Sequence, residues 1–185
     1  MSEPKRTPKE QAAQFVGGLR RLSHDRGKLA ALRRGLIDNP RLHVDAYPVV
    51  ASLGGDIGNP VFLAIAALYA THPEESHQLR NFGGSCRRIA LADSKEIADS
   101  IERRFRRLLS SGDVDDVIGQ LRCWVRLAAS KGVPVNYESL FADLWNWRFY
   151  AEDIRVQWAR AFWQSGESAD DAAQTQTEPS TVPAP

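Results

Sequence analysis

Arginine is the residue type in this chain whose number and spacing best suit it to chemistry, and it comes in doublets: Arg20-Arg21, Arg33-Arg34, Arg87-Arg88, Arg103-Arg104 and Arg106-Arg107. A guanidinium stays protonated at any physiological pH, and its planar fork matches two oxygens of a phosphate or carboxylate at once. At 100° per residue, Ile97, Ile101, Phe105 and Leu108 form one apolar stripe, and Arg103, Arg106 and Arg107 point away from it. Arg104 falls at the boundary, where its stem packs on the core while its head reaches out. Helix-dipole complementation and i,i+4 pairing with Asp99 and Glu102 explain part of this cluster, at a few tenths of a kcal/mol each. They do not explain the excess, because only those two carboxylates face the arginines of residues 103–107. A phosphate-bearing partner explains it better. The candidate nucleic-acid contacts are Arg33, Arg34, Arg87, Arg88, Arg103, Arg104 and Arg107, together with Arg122 and Arg126, which share a helix face at i,i+4. No sequence-reading element is recognisable, so the expected contacts are to phosphates, independent of base sequence and strongly salt-dependent.

Other chemistries find little support. His24, His43, His72 and His77 form no pair at metal-binding spacing on one helix, and there is no phosphate-binding glycine loop and no nucleophile elbow. Gly54-Gly55-Asp56-Ile57-Gly58 follows no strand pattern and reads as a loop. Asp115-Asp116 suits a helix N-terminus. Cys86 and Cys123, far apart and without a second pair, read as two small buried hydrophobes rather than a metal or disulfide framework. The expectation is a protein with no catalytic residues, no cofactor and no metal.

The elements that must position these arginines are helices. Of 185 residues, 43% are hydrophobic and 25% charged, the balance of a globular protein, with no run near the roughly 20 apolar residues that span a membrane and no signal-peptide pattern. A cytoplasmic location follows as the expectation. Residues 164–185 hold Glu167, Asp170, Asp171 and Glu178 with no Lys or Arg, leaving 24 basic and 19 acidic side chains on the rest. That segment lacks large apolar residues and reads as a disordered acidic tail. Elsewhere helical periodicity dominates and no alternating strand pattern occurs. Thr7-Pro8-Lys9-Glu10 is a capping box opening a helix with stripe Ala12, Phe15, Leu19 and Leu22, and a second helix carries Leu29, Leu32 and Leu36. Residues 39–59 read as a long connection with a short helix near Val49 to Leu53. Further helices are expected from Pro60 through the all-apolar Val61 to Tyr69, from Leu79 to Ala92, from an Asp93-Ser94-Lys95-Glu96 cap to Ser110, from Asp113 to Gly132, from Tyr137 to Trp147 and from Glu152 to Trp163. The fold class is therefore all-α, two packed helical bundles of about seven or eight helices. The division expected is an N-terminal bundle over residues 1–92 and an aromatic-rich one over 93–163. The five Trp, all between Trp124 and Trp163, read as core, with base stacking on an exposed ring the lesser alternative.

Four blocks also form a pattern: Leu29-Ala30-Ala31-Leu32-Arg33-Arg34-Gly35, Asn81-Phe82-Gly83-Gly84-Ser85-Cys86-Arg87-Arg88-Ile89-Ala90, Ile101-Glu102-Arg103-Arg104-Phe105 and Val156-Gln157-Trp158-Ala159-Arg160-Ala161-Phe162-Trp163. In order and spacing they resemble the small subunit of the type I-E CRISPR surveillance complex, the CasB family, over about Gly18 to Trp163. The resemblance implies an all-helical, non-enzymatic subunit of the Cascade assembly. It would be present in two copies beside the large subunit and the backbone subunits, with guide RNA and target DNA as further partners, and would hold the displaced strand and stabilise the R-loop. By motif position these roles fall on Arg33-Arg34, Arg87-Arg88 and Arg103-Arg104; the segment Trp147 to Ile154 is less basic than the pattern implies. A purely structural protein–protein adaptor in the same kind of assembly is the alternative. A metal-dependent nuclease finds no ligand set in the sequence.

Overall fold

The computed structural model describes residues 7–34 and 44–164. The expectations for Leu36, His43, the start of the long connection and the acidic tail lie outside those residues. Among them are eight α-helices and one short 3-10 helix, Val44–Ala46, with no strand beyond a single bridge between Glu75 and Val135. The helices are α1 Pro8–Arg21, α2 Arg26–Arg34, α3 Tyr47–Ser52, α4 Pro60–Thr71, α5 Phe82–Ala90, α6 Asp99–Leu109, α7 Val114–Lys131 and α8 Tyr137–Trp163. The protein is all-α, as its periodicity indicates.

Local chemistry sets most of the boundaries. In α1 the Thr7 hydroxyl accepts from the Glu10 amide and the Glu10 carboxylate accepts from the Thr7 amide at 2.8 Å, which is the reciprocal capping box. The Asn59 side chain accepts from the Val61 amide, and Pro60 supplies the preset φ of a first helical residue. Asp113 caps α7, which ends on Gly132 in the left-handed region, φ 60°.

The helix at α4 is the centre of the molecule. All ten residues from Val61 to Ala70 are buried, and α1, α2, α3, α7 and α8 pack around it. An apolar surface with no polar face has to be enclosed on every side.

Helix α8 is the long element that joins everything else. Tyr150 leaves helical geometry (φ −130°, ψ 25°) and divides α8 into two limbs, matching the two helices that the sequence suggests on either side of residues 148–151. The first limb packs Phe141 against Phe15 and Phe62, and Tyr137 against Tyr69. The second packs Trp158 against Phe82 and stacks Phe162 on Phe105. Helix α5 therefore sits with the second limb, while α7 touches both α4 and α5. The buried apolar residues from Ala12 to Phe162 form one continuous core. At the α5–α8 crossing a Cβ on Gly83 would lie 2.1 Å from the Trp158 carbonyl oxygen, so only glycine lets the two backbones approach this closely.

The structure corrects several expectations. Helix α6 begins at Asp99 without a side-chain cap, so Asp93-Ser94-Lys95-Glu96 does not start it; the Ser94 hydroxyl accepts from the Glu96 amide and closes a local turn instead. Helix α5 begins at Phe82, capped by Asn81 accepting from Gly84, and Leu79 precedes it. Cys86 is buried, but Cys123 is exposed, because the inward stripe of α7 runs through Leu121, Trp124, Val125 and Ala128 and position 123 falls off it. Of the tryptophans, Trp124, Trp147 and Trp158 are fully buried, and Trp163 keeps 39% of its surface exposed.

Candidate nucleic-acid interface

Adjacent residues on a helix differ by 100° in direction, so an arginine doublet cannot present both side chains alike. Four of the five doublets divide accordingly. Arg20, on α1, is held by Glu75 and Glu138, each with an oxygen 2.6 Å from Nη2, and its pKa is raised further, chiefly by the hydrogen bond to Glu75. Arg33 donates from Nε to the Ala70 carbonyl at 2.5 Å, in the last turn of α4. Arg87 donates from Nη1 to the Phe162 carbonyl at 2.7 Å, in the last turn of α8. Both thereby satisfy carbonyls that a helix end leaves unpaired and place positive charge at the negative end of the dipole. Arg106 pairs with Glu102 and lies over the Trp163 ring at 5.3 Å.

In four of the doublets the other member faces outward, and in Arg103-Arg104 both members do. Arg21, Arg88, Arg103, Arg104 and Arg107 are exposed and make no hydrogen bond or ion pair with another described residue. Arg34 is exposed as well, and its pair with Asp45 at 2.7 Å joins two side chains that are both more than half in solvent, worth well under 1 kcal/mol. Arg126 is exposed on α7, whereas Arg122 is half-buried with its Nε beneath the surface, so the two do not form the solvent-facing pair that their spacing suggests. Arg33 and Arg87, counted in the sequence among the arginines in excess, are tied to helix ends.

The geometry brings the α5 and α6 doublets together. Phe162 receives the Arg87 bond on its carbonyl and stacks its ring on Phe105 of α6 at a centroid distance of 3.9 Å, and the next residue, Trp163, carries Arg106. Arg87 of α5 and Arg106 of α6 thus both reach the C-terminal turn of α8, which brings the two arginine-bearing helices to one end of the protein. The α2 doublet lies elsewhere, at the C-terminal end of α4. On α6, Phe105 and Leu108 are buried, so at 100° per residue Arg103 points directly away from the core, Arg106 and Arg107 stand on either side of it, and Arg104 lies nearest the core boundary.

One surface was not legible in the sequence. At the α8 kink a cleft of about 670 Å³ opens between Trp147, Phe149 and Tyr150 on one side and Gly112 to Val114 on the other. Phe149 is 75% exposed there. The aromatic run 147–150 was the available signal, yet aromatics at helical spacing read equally well as core.

Three further polar groups belong to the scaffold. Asp143 accepts from the Trp158 indole at 2.7 Å, and its burial pushes its pKa up to about 6. The Tyr137 hydroxyl donates to the His72 carbonyl at 2.5 Å, and the His72 ring donates from Nε2 to the Val133 carbonyl at 2.7 Å, which ties α4 to the turn before α8. Among the described residues no group of His, Cys, Asp and Glu is placed to hold a metal ion, and no helix is long and apolar enough to cross a membrane.

Comparison with known proteins agrees with the fold and the block pattern. The family model for CRISPR-associated protein Cse2 matches residues 28–163. A Cse2-family protein from Thermus thermophilus is 25% identical, with 86% of this chain and 100% of that one covered at a TM-score of 0.69. CasB from M. ruber is 27% identical over 86% of this chain and 94% of that one, TM-score 0.68. A chain of a CRISPR RNA-guided surveillance complex is 26% identical over 84% and 92%, TM-score 0.66. No curated protein sequence matches. With more than half of its length matched by the family model and the same helical fold in its relatives, this chain belongs to the CRISPR-associated Cse2 family, also called CasB.

Proposed function

We propose that this protein is a non-catalytic subunit of a type I-E CRISPR interference complex, and that it holds the phosphate backbone of the displaced DNA strand and so stabilises the R-loop in antiviral defence. Family membership and the likeness to a chain of an RNA-guided surveillance complex support the assembly. Its partners there are the large subunit, the backbone subunits, a second copy of itself, guide RNA and target DNA, in the cytoplasm. The observation that carries the nucleic-acid role is the outer face of α6, where Arg103, Arg104 and Arg107 are exposed and have no partner among the described residues. Like charges within one helical turn repel, and a polyanion relieves that repulsion. Replacing a DNA duplex by an RNA–DNA duplex is close to balanced, so a few backbone contacts on the displaced strand are enough to shift it.

The test replaces Arg103, Arg104 and Arg107 together by Ala and measures target binding by the assembled complex as a function of salt. All three are exposed, so the fold persists. Each lost contact to a single strand removes about 0.7 from the log–log salt slope, so the slope falls by up to about 2. Unchanged affinity and slope would refute the reading. The adaptor reading draws on the exposed Phe149 and Tyr150 at the α8 kink, which suit a protein neighbour. Crosslinking of α6 peptides to protein alone, never to DNA or RNA, is the result that favours it.

A further inference from the structure

The arginine face of α6 has an anionic candidate within the chain itself. Helix α8 ends with Trp163 against α6: its ring lies 5.3 Å from the Phe105 ring and 5.3 Å from the Arg106 guanidinium carbon. The polypeptide therefore leaves the folded body beside the flank of α6 that carries Arg106. The 21 residues that follow Gln164 contain Glu167, Asp170, Asp171 and Glu178 and no Lys or Arg. We propose that residues 165–185 dock on the outer face of α6, pair their carboxylates with Arg103, Arg104 and Arg107, and compete there with the nucleic-acid backbone. This rests on the reading of that face as a phosphate-binding surface.

Reach and charge both favour it. At roughly 3.3–3.6 Å per residue, Asp170 and Asp171 extend to about 20–25 Å from Gln164. Helix α6 is about 16 Å long, and its arginines occupy the half nearest the exit point. No neighbouring helix has to move. On α6 itself two carboxylates stand against four arginines: Glu102 is bonded to Arg106, and Asp99, one turn before Arg103, leaves Arg104 and Arg107 without a partner on the helix. Each exposed ion pair is weak. Tethering compensates, since a segment joined this closely acts at an effective concentration of the order of millimolar. A tail docked in about 70–90% of molecules lowers the apparent affinity for a competing strand about 3–10-fold. Longer ranges of strand contact in the full assembly displace it, because a polyanion that also touches other basic faces gains from each of them.

The test uses the full chain and a variant of it with Glu167→Gln, Asp170→Asn, Asp171→Asn and Glu178→Gln. Nε–Hε resonances of Arg103, Arg104 and Arg107 are compared at about 20 mM salt, inside a Debye length of roughly 20 Å, and again at high salt, with no nucleic acid present. Docking predicts shifts between the two proteins at low salt that disappear at high salt. Binding of a 20-nucleotide oligo-dT is then measured at low salt, and competition predicts about 3–10-fold tighter binding by the variant. Identical resonances overturn the docking. Shifts that weaken on dilution overturn it too, since they assign the contact to a second copy's tail. Shifts without any gain in oligonucleotide affinity overturn the competition. If neither protein binds the oligonucleotide, the phosphate-binding reading of α6 fails, while the docking stands or falls on the resonances alone.

Discussion

Gly83→Ala adds one methyl group, and the structure fixes what it meets. The new Cβ would lie 2.1 Å from the Trp158 carbonyl oxygen and 2.7 Å from its carbonyl carbon and Cα. All three are backbone atoms in the middle of a helix, so no side-chain rotation relieves the overlap. Restoring ordinary contact, which begins at 3.4 Å, requires α5 and α8 to separate by about 1.3 Å. That separation also loosens the Phe82–Trp158 ring contact and stretches the Arg87 bond to the Phe162 carbonyl, both of which lie along the same crossing. Overpacking costs about 1–3 kcal/mol where side chains can adjust, and the rigid backbone puts this site at or above the upper end. The intrinsic gain of Ala over Gly in a helix, about 1 kcal/mol, offsets only part of it. A net loss of at least about 2 kcal/mol lowers Tm by at least about 4–8 °C for a chain of this size. Gly119→Ala is the internal control: it lies inside α7 with nothing within 4 Å of its Cβ position, so the same substitution gains about 0.5–1 kcal/mol. Urea and thermal denaturation of the two variants therefore move in opposite directions. A Gly83→Ala protein within about 0.5 kcal/mol of the parent, or equal losses at both positions, would refute the close-approach argument.

Three further outcomes are expected. Asp143 titrates near 6 in the folded chain against 3.8 for the unpaired group, so folding favours its protonated form; that contribution is complete below pH 3.8 and is lost as pH rises through 6. Asp143→Asn, which still accepts from the Trp158 indole, is more stable than the parent above pH 6 by up to roughly 3 kcal/mol, and the difference shrinks toward zero at about pH 4; a difference that does not vary with pH in chemical denaturation would contradict this. Arg20→Lys loses about 1–2 kcal/mol in the same assay, because one ammonium cannot reproduce the two bonds to Glu75 together with the bond to Glu138. Thr7→Ala removes the acceptor of the α1 capping box and costs about 1 kcal/mol, read as fraying of residues 8–12 by hydrogen exchange.

Helix existence and type were legible wherever a side chain and the backbone agreed on one answer. Thr7-Pro8-Lys9-Glu10, Asn59-Pro60, Asp113 and Gly132 each name a helix end by a specific hydrogen bond or φ preference. Ser94 misled because a hydroxyl accepting from a nearby amide serves a turn as well as a helix, and the choice depends on whether the following residues have a surface to bury. Residues 92–96 are all exposed and do not. Gly83 gave no sign of its role, since a glycine that permits a helix crossing looks the same in sequence as one that marks a loop. The division of the arginines had a similar cause. Their spacing put Arg103, Arg106 and Arg107 outward, and the buried Phe105 and Leu108 agree. It could not foretell that Arg33 and Arg87 would end at the carbonyls of other helices, 37 and 75 positions away, because that depends on which helix end packs nearby.

The kink at Tyr150 bears on how the molecule carries load. Helix α8 contains 27 residues, about 40 Å of rod, anchored at one end against α1 and α4 and at the other against α5 and α6. A strut clamped at both ends transmits displacement along its axis nearly undiminished, and it yields where its internal bracing is interrupted. Tyr150 is that place, so bending compliance concentrates there. The angle at residue 150 therefore sets how the limb packed on α5 and α6 is aimed relative to the limb packed on α1 and α4, and it does so beside the exposed Phe149.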